Sequence, residues 1–417
     1  MDLGEELKRE GLDLLLQLIS IPSISPSGEH YEEIVSALRE FFEKHSIDVE
    51  VFRVPEEYQK RNCKQAGSLP RYIVRALVEG EERPWLQLNG HYDVVPGGPG
   101  WTKTDPFTPL VVGDLVYGRG ATDMKGGLTS MALSLVLYSQ QKKRPTTLDA
   151  VFVPDEEIGG ECGTGYYLHL LGDNLPDCAI IAEPSSPNYI YVGHRGGLWL
   201  KVRIKGRTAH GSTPWAGVNA FINMAKLVVW LEENYVKGLS YVKSKYEYDI
   251  PNANSPTAMI GGEAGVPQGK ANQVPGEAFF TIDRRLVVEE KLEDVEEELR
   301  QTIIEAARRL GIEEDNIEIT ITSRVKPAIV PPGNVLSRAI TARAQQLGLP
   351  KPREVVSVGG LDLRYYTERG VLVVSYGPGV HKASHSPDEY VSFKEVLKFA
   401  EIYSKLPFEL SKLTQRE

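Results

Sequence analysis

Cysteine is scarce in this chain. Its 417 residues hold three, Cys63, Cys162 and Cys178, odd in number and widely spaced. No CxxC pair occurs, so the sequence supports neither a disulfide framework nor a cysteine zinc site, and reduced thiols are expected. Long apolar runs are also missing, none reaching the ~18 residues of a membrane span. The start, MDLGEELKREGLDLLLQLISIPS, is acidic and its apolar part is interrupted, unlike a signal peptide. These absences predict a cytoplasmic protein with no membrane partner. A basic surplus is lacking too: 47 Lys and Arg against 57 Asp and Glu give a formal charge of −10. That argues against nucleic acid as a partner, because a phosphate backbone is held by clustered Lys and Arg. It leaves room for a small anionic ligand held by one or two arginines. No repeat or low-complexity tract is visible, and 25% charged with 41% hydrophobic residues excludes a disordered or fibrous chain.

What is there suggests two or three domains by length. Helical spacing runs from Leu7 to Ile19 and from Tyr31 to Glu43. Short apolar runs at Tyr72–Leu77, Trp85–Leu88, Ala150–Val153, Cys178–Ile181 and Val371–Ser375 read as strands. Helical patterns near Met124–Ser139, Gly163–Leu171, Asn334–Leu347 and Phe393–Leu406 alternate with them. This predicts an α/β domain with a mostly parallel central sheet flanked by helices. Between Gly197 and Ile321 the order becomes β-α-β-β-α-β, the ferredoxin-like arrangement. An α+β domain over residues 197–325 is therefore expected to interrupt a larger one made of 1–196 and 326–417.

Chemistry-bearing residues sit just beyond the apolar strands. Trp85–Leu88 leads to His91 and Asp93, Ala150–Val153 to Glu156 and Glu157, and Cys178–Ala182 to Glu183. A glycine-rich turn places Asp123 before a helix, and Val371–Ser375 leads to His385. In open parallel sheets the carboxyl ends of the strands form the ligand crevice. Taken singly, Asp123 reads as a helix N-cap and Glu156-Glu157 as a solvated turn. The turn at Asp123 matches neither common phosphate-binding glycine motif. Taken together, crowded carboxylates repel one another unless a cation neutralises them. A mixed His/Asp/Glu set suits zinc, with cobalt or manganese as substitutes. Five ligands exceed one tetrahedral zinc and fit two metal ions sharing a carboxylate.

Through these motifs the chain resembles the zinc metallopeptidases and amidohydrolases that include aminoacylase, acetylornithine deacetylase, succinyl-diaminopimelate desuccinylase and glutamate carboxypeptidase. The resemblance covers nearly the whole chain. It implies one metal held by His91, Asp123 and Glu183 and a second by Asp123, Glu157 and His385, with Asp123 shared. Asp93 would orient His91, and Glu156 would be the general base. It further implies that the inserted domain is a dimerisation lid and that the protein forms a homodimer through it. In Arg207-Thr208-Ala209-His210, His210 would stabilise the oxyanion in the partner subunit's site. Asn272 and Arg285 would grip a substrate carboxylate, with Arg284 the alternative if the register slips by one.

Gly359-Gly360-Leu361-Asp362-Leu363-Arg364 resembles the family's Gly-Gly-Thr-Asp-Ala-Arg, which places Gly360, Asp362 and Arg364 near the substrate. Leu361 and Leu363 depart from that pattern, so the side-chain pocket does not transfer, and Asp362 also reads as the first turn of a helix. The implied activity is hydrolysis of an N-acyl amino acid or of the C-terminal amide of a short peptide. Glu rather than Asp at position 183 resembles the deacylases and carboxypeptidases more than the aminopeptidases and dipeptidases.

Overall fold

Four parallel strands form the middle of the central sheet. In the computed structural model, which describes residues 3–414, they lie in the order Thr146–Val153, Glu82–His91, Cys178–Pro184, Leu372–Gly377. Every residue of Cys178–Pro184 is buried, as expected of an inner parallel strand covered on both faces. Around this parallel middle the sheet is mixed. Tyr72–Val78 and Asp48–Arg53 extend one side antiparallel, and Tyr189–His194 pairs antiparallel with Leu372–Gly377 on the other. Asp48–Arg53 has no fully buried residue and carries no apolar run, which is why its pattern is silent in the sequence.

Helix Gly126–Ser139 has no polar face and is buried along almost its whole length. Such a helix belongs between layers: helix Phe393–Thr414 packs on it, and the Ser130 hydroxyl donates to the Val396 carbonyl at 2.9 Å. No helix among the described residues is long and apolar enough to cross a membrane.

The chain divides into two units. The first runs through Val192, includes Val330–Val355 and resumes at Leu361; the second comprises Gly193–Ile329 and Val356–Gly360. In the second unit four antiparallel strands lie in the order Thr257–Gly265, Glu277–Leu286, Gly196–Lys205, Ile317–Val325. Its core joins the inward residues of these strands, Leu198, Leu200, Val202, Phe280 and Ile282 among them, to helices Ala220–Leu231 and Leu292–Arg309. The strict alternation of buried and half-buried residues along Glu277–Leu286 shows one covered face.

The cysteines correct the expectation of reduced thiols. Cys63 and Cys162 form a disulfide with their Cα atoms 5.7 Å apart, while Cys178 is free and buried. The two are separated by 99 residues, so spacing carried no trace of the pairing. They meet because helix Glu56–Asn62 lies beside the segment Glu161–Gly165, where the rings of Tyr58 and Tyr166 touch edge to face at 4.7 Å.

Candidate metal centre and active site

The carboxyl ends of the parallel strands deliver the candidate ligands of the first unit. His91 is the last residue of its strand and is in register with Val153, the last of the neighbouring one. The chain beyond Val153 turns through Asp155 at φ +63° and presents Glu156 and Glu157. Glu183 stands one residue before the end of Cys178–Pro184, Asp123 lies in the turn preceding Gly126–Ser139, and His385 adopts φ +59° in the loop beyond Leu372–Gly377.

These side chains converge. His91 Nε2 lies 3.1 Å from Asp123 Oδ1 and 3.3 Å from Glu183 Oε1. His385 Nε2 lies 3.0 Å from Glu157 Oε1 and 3.4 Å from Asp123 Oδ2. Asp123 thus turns one oxygen to each group, and within each triad one ligand atom per residue lies within 4.8 Å of the others. The Glu183 Oε1 atom is buried without a hydrogen-bond partner. A buried acceptor with no donor is costly, and a cation beside it removes the cost. Oxygen and imidazole donors fit divalent ions such as zinc, cobalt and manganese.

The electrostatics agree with that fit. Burial, then the Glu183 charge, pushes the Glu156 carboxyl well above the usual range. Burial and Asp123 raise Glu183 to about 7 and also raise Glu157. His385 is pushed up to about 11 by its hydrogen bonds to Asp123 and Glu157. Asp123 is itself held low: burial opposes this, but His385 and His91 together outweigh it. The negative charge here exceeds what two imidazoles neutralise without extra protons or a metal.

Buried groups fix the geometry. Asp93, fully buried, accepts the backbone N–H of Glu156 at 3.0 Å and of Glu157 at 3.2 Å. His91 Nδ1 lies 2.9 Å from the Asp93 carbonyl oxygen, so the ring is oriented by the same residue that holds the Glu156-Glu157 turn. Beneath that turn, Asp155 accepts from the Tyr31 hydroxyl at 2.8 Å and from Arg71 Nε at 2.7 Å. Glu389 was missed as a functional residue in the sequence. Its Oε1 accepts the N–H groups of Thr122 and Asp123, both at 3.0 Å, and its Oε2 accepts Arg119 at 2.5 Å. The only sequence signal for it was an acidic residue four positions after His385.

The family model for peptidase family M20/M25/M40 matches residues 87–409. The chain belongs to this family. Relatives of the M20 chain include the succinyl-diaminopimelate desuccinylase of Nautilia profundicola, 26% identical, with 95% of this chain and 98% of that protein covered. Among solved structures, it resembles a metallo-carboxypeptidase of the M20 family from Sulfolobus solfataricus at TM-score 0.73 and 20% identity, covering 97% of this chain and 99% of that one. A dinuclear metal-binding M20 peptidase from Bacillus subtilis matches at TM-score 0.70 and 16% identity, with 99% of each chain covered. The M20 chain is thus a hydrolase of a metal-dependent peptidase and deacylase family.

The remaining motif residues lie elsewhere. His210, Asn272 and Arg285 belong to the second unit. There His210 bridges to Gln273, the Gly211 N–H donates to the Asn272 carbonyl at 2.7 Å, and the Val274 N–H donates to the Ala209 carbonyl at 2.8 Å. Two motifs about sixty residues apart in sequence are therefore zipped into one ladder. His210 and Asn272 are both exposed. Arg284 and Arg285 point to opposite faces of their strand. Arg284 is buried, bonded to Glu290 at 2.5 Å and to the Tyr235 hydroxyl at 2.9 Å. Arg285 lies half-buried over the Trp199 ring at 4.5 Å and is paired with Asp283. Gly360 ends the last segment of the second unit, whereas Asp362 and Arg364 lie in the first. Asp362 is buried, with both carboxylate oxygens lacking a hydrogen-bond partner.

Proposed function

We propose that this M20 enzyme hydrolyses the amide bond of an N-acyl amino acid, as a desuccinylase or deacetylase does, or the C-terminal amide of a short peptide. The observation that carries the reading is Asp123, whose two oxygens face two separate His/carboxylate groups. His91, Asp123 and Glu183 would hold one divalent ion and Asp123, Glu157 and His385 the other, zinc first with cobalt or manganese as alternatives. Bound there, the ions would polarise the carbonyl and lower the pKa of water.

The residues of the chain supply the rest. Glu156, raised by burial and by neighbouring carboxylates, is suited to take a proton from water and return it to the leaving amine. Its backbone is pinned by Asp93, which keeps its carboxylate beside the ligands without itself ligating. His210 donates to the oxyanion, and Arg285 with Asn272 grips the substrate carboxylate. Arg285 suits that task better than Arg284, whose guanidinium is consumed inside the second unit.

The homodimer reading draws support from the second unit alone. Helix Ala220–Leu231 exposes Phe221, Ile222 and Val229, and the edge strand Thr257–Gly265 exposes Met259 at 52%. An unpaired strand edge beside an apolar helix face is a surface that a second copy covers by continuing the sheet.

The test is Glu156→Gln, assayed on succinyl- and acetyl-amino acids and on short peptides. It should retain both metals and lose nearly all turnover. A variant that keeps both metals and turns over normally removes Glu156 from the mechanism.

A further inference from the structure

Resemblance placed Arg364 at the substrate, yet both hydrogen bonds its guanidinium donates to the chain's backbone stay within the first unit, with the Asp362 carboxylate 3.8 Å away and the Tyr365 ring beneath it at 4.6 Å. Arg364 is 8% exposed; Nη1 donates to the Leu361 carbonyl at 3.1 Å and Nη2 donates to the carbonyl of Gly159. The hydroxyl of the next residue, Tyr365, donates to that same Gly159 carbonyl at 2.5 Å. A carbonyl oxygen has two lone pairs, and here each has a donor.

Gly159 closes the turn that carries Glu156 and Glu157. Its N–H donates to the Glu156 carbonyl at 2.8 Å, and the Gly160 N–H to the Asp155 carbonyl at 2.7 Å. Gly159 and Gly160 adopt φ +117° and +73°, so side chains are disfavoured at both. Lacking side chains, the turn can be anchored there only through its backbone. The Asp362 carboxylate and the Tyr365 ring take the room beside these glycines: a Cβ on Gly160 would collide with Asp362 Oδ1 and stand 3.0 Å from the ring, and one on Gly165 would stand 2.9 Å from the ring. The Asp93 carboxylate holds the leading end of the turn, and helix Leu363–Glu368 grips its trailing end.

We propose that Arg364 and Tyr365 are positioning residues that clamp the Gly159 carbonyl, and through it hold Glu156 in place for proton transfer, rather than binding substrate. The proposal rests on the reading of Glu156 as the base. Charge-assisted bonds in a buried setting are strong and directional, and a general base displaced by about 1 Å loses about 100-fold in rate.

The test compares Arg364→Met, Arg364→Lys and Tyr365→Phe in the metal-loaded enzyme by steady-state kinetics and by amide hydrogen exchange over residues 155–163. Arg364→Met should lower kcat about 100-fold with KM held within about 3-fold, the signature of a lost transition-state interaction. Lysine can still reach one carbonyl, so Arg364→Lys should recover about 10-fold of that loss. Tyr365→Phe removes only the hydroxyl, which keeps the proposal testable if Arg364→Met fails to fold. It should lower kcat about 5-fold and speed exchange at Gly159 and Gly160. A raised KM with intact kcat in Arg364→Met makes it a substrate anchor and overturns the proposal, as does unchanged exchange in Tyr365→Phe. Exchange reads the turn without turnover. Faster exchange with a fully active Glu156→Gln would therefore leave the clamp standing and remove the general-base reading instead.

Discussion

The motif residues of the two units differ in how complete their surroundings are. In the first unit His91, Asp93, Asp123 and Glu183 are buried at 9% exposure or less and each lies within 3.5 Å of another of them, while His385, 51% exposed, closes the cluster against Asp123 and Glu157. In the second, His210 and Asn272 stand exposed on a loop pair held together through its backbone. His210 reaches only Ser212, with Nδ1 2.7 Å from its hydroxyl oxygen. A preorganised charge cluster costs folding free energy that only a bound cation recovers. An exposed histidine costs almost nothing, and does chemistry only when something is brought to it. The first region gathers the donor set of a metal site within one unit; the second presents its motif residues on an exposed loop pair.

The largest expected effect breaks the first region at the residue both groups share. Asp123→Asn keeps the size and a hydrogen-bonding side chain but removes the charge facing both His91 and His385. Metal content, read by atomic emission after dialysis, should fall below that of Glu183→Gln, which touches one group only. Turnover should drop by about 1,000-fold or more, since metal ligation and water activation fail together. Equal metal content in the two variants would contradict the shared-ligand reading.

Next comes the disulfide, which staples the first unit and not the second. Closing a loop of 99 residues contributes about 4–5 kcal/mol in the chain-entropy model, with about 2–4 kcal/mol typical of measured bridges. The double variant Cys63→Ser/Cys162→Ser should lower the melting temperature of the first unit and leave that of the second in place. The two must be followed by separate probes, because a chain of two units need not unfold in one step.

In the second unit the adjacent arginines make a sharper contrast. Arg284→Met strands Glu290, which is 18% exposed, and leaves the Tyr235 hydroxyl without its partner. Breaking one side of such a buried pair should cost about 3 kcal/mol in denaturant unfolding. Arg285→Met loses a half-exposed pair with Asp283 and a stacking contact, together about 1 kcal/mol or less. If Arg285 binds a carboxylate, KM should rise while stability barely moves. The reverse ranking of the two variants would mean that Arg285, not Arg284, faces the core of the second unit.

What could be read from the sequence follows from range. The apolar runs of the inner strands are continuous because both faces are buried, and the residue just beyond each is fixed in space by the strand itself. His91, Glu156, Glu157 and Glu183 were therefore legible as neighbours. The supports were not. Arg119 and Glu389 are paired across 270 residues and Tyr31 and Asp155 across 124, and neither pairing leaves a local pattern. The disulfide escaped for the same reason. Arg364 was legible as a motif residue, but which groups occupy its guanidinium depends on where Gly159 lies. The edge strand Asp48–Arg53 was hidden because it carries polar residues on a half-exposed surface.

The smallest expected effect on the fold is the most telling for the second region. His210→Ala removes an exposed ring whose Nδ1 meets the hydroxyl and the backbone N–H of Ser212. Surface changes of this kind stay within about 0.5 kcal/mol, so melting temperature and metal content should match the parent. Activity should not: an oxyanion donor is worth roughly 100-fold or more in kcat. Mixing His210→Ala with Glu156→Gln then separates two arrangements. If His210 serves the partner's site, exchanged dimers contain one site with both an intact Glu156 and an intact His210, and a fraction of activity returns. If it serves its own subunit, every site in the exchanged dimer lacks one of the two, and mixing restores nothing. Subunit exchange has to be verified independently, for example with a size-tagged copy, so that silence in the assay counts against the trans arrangement.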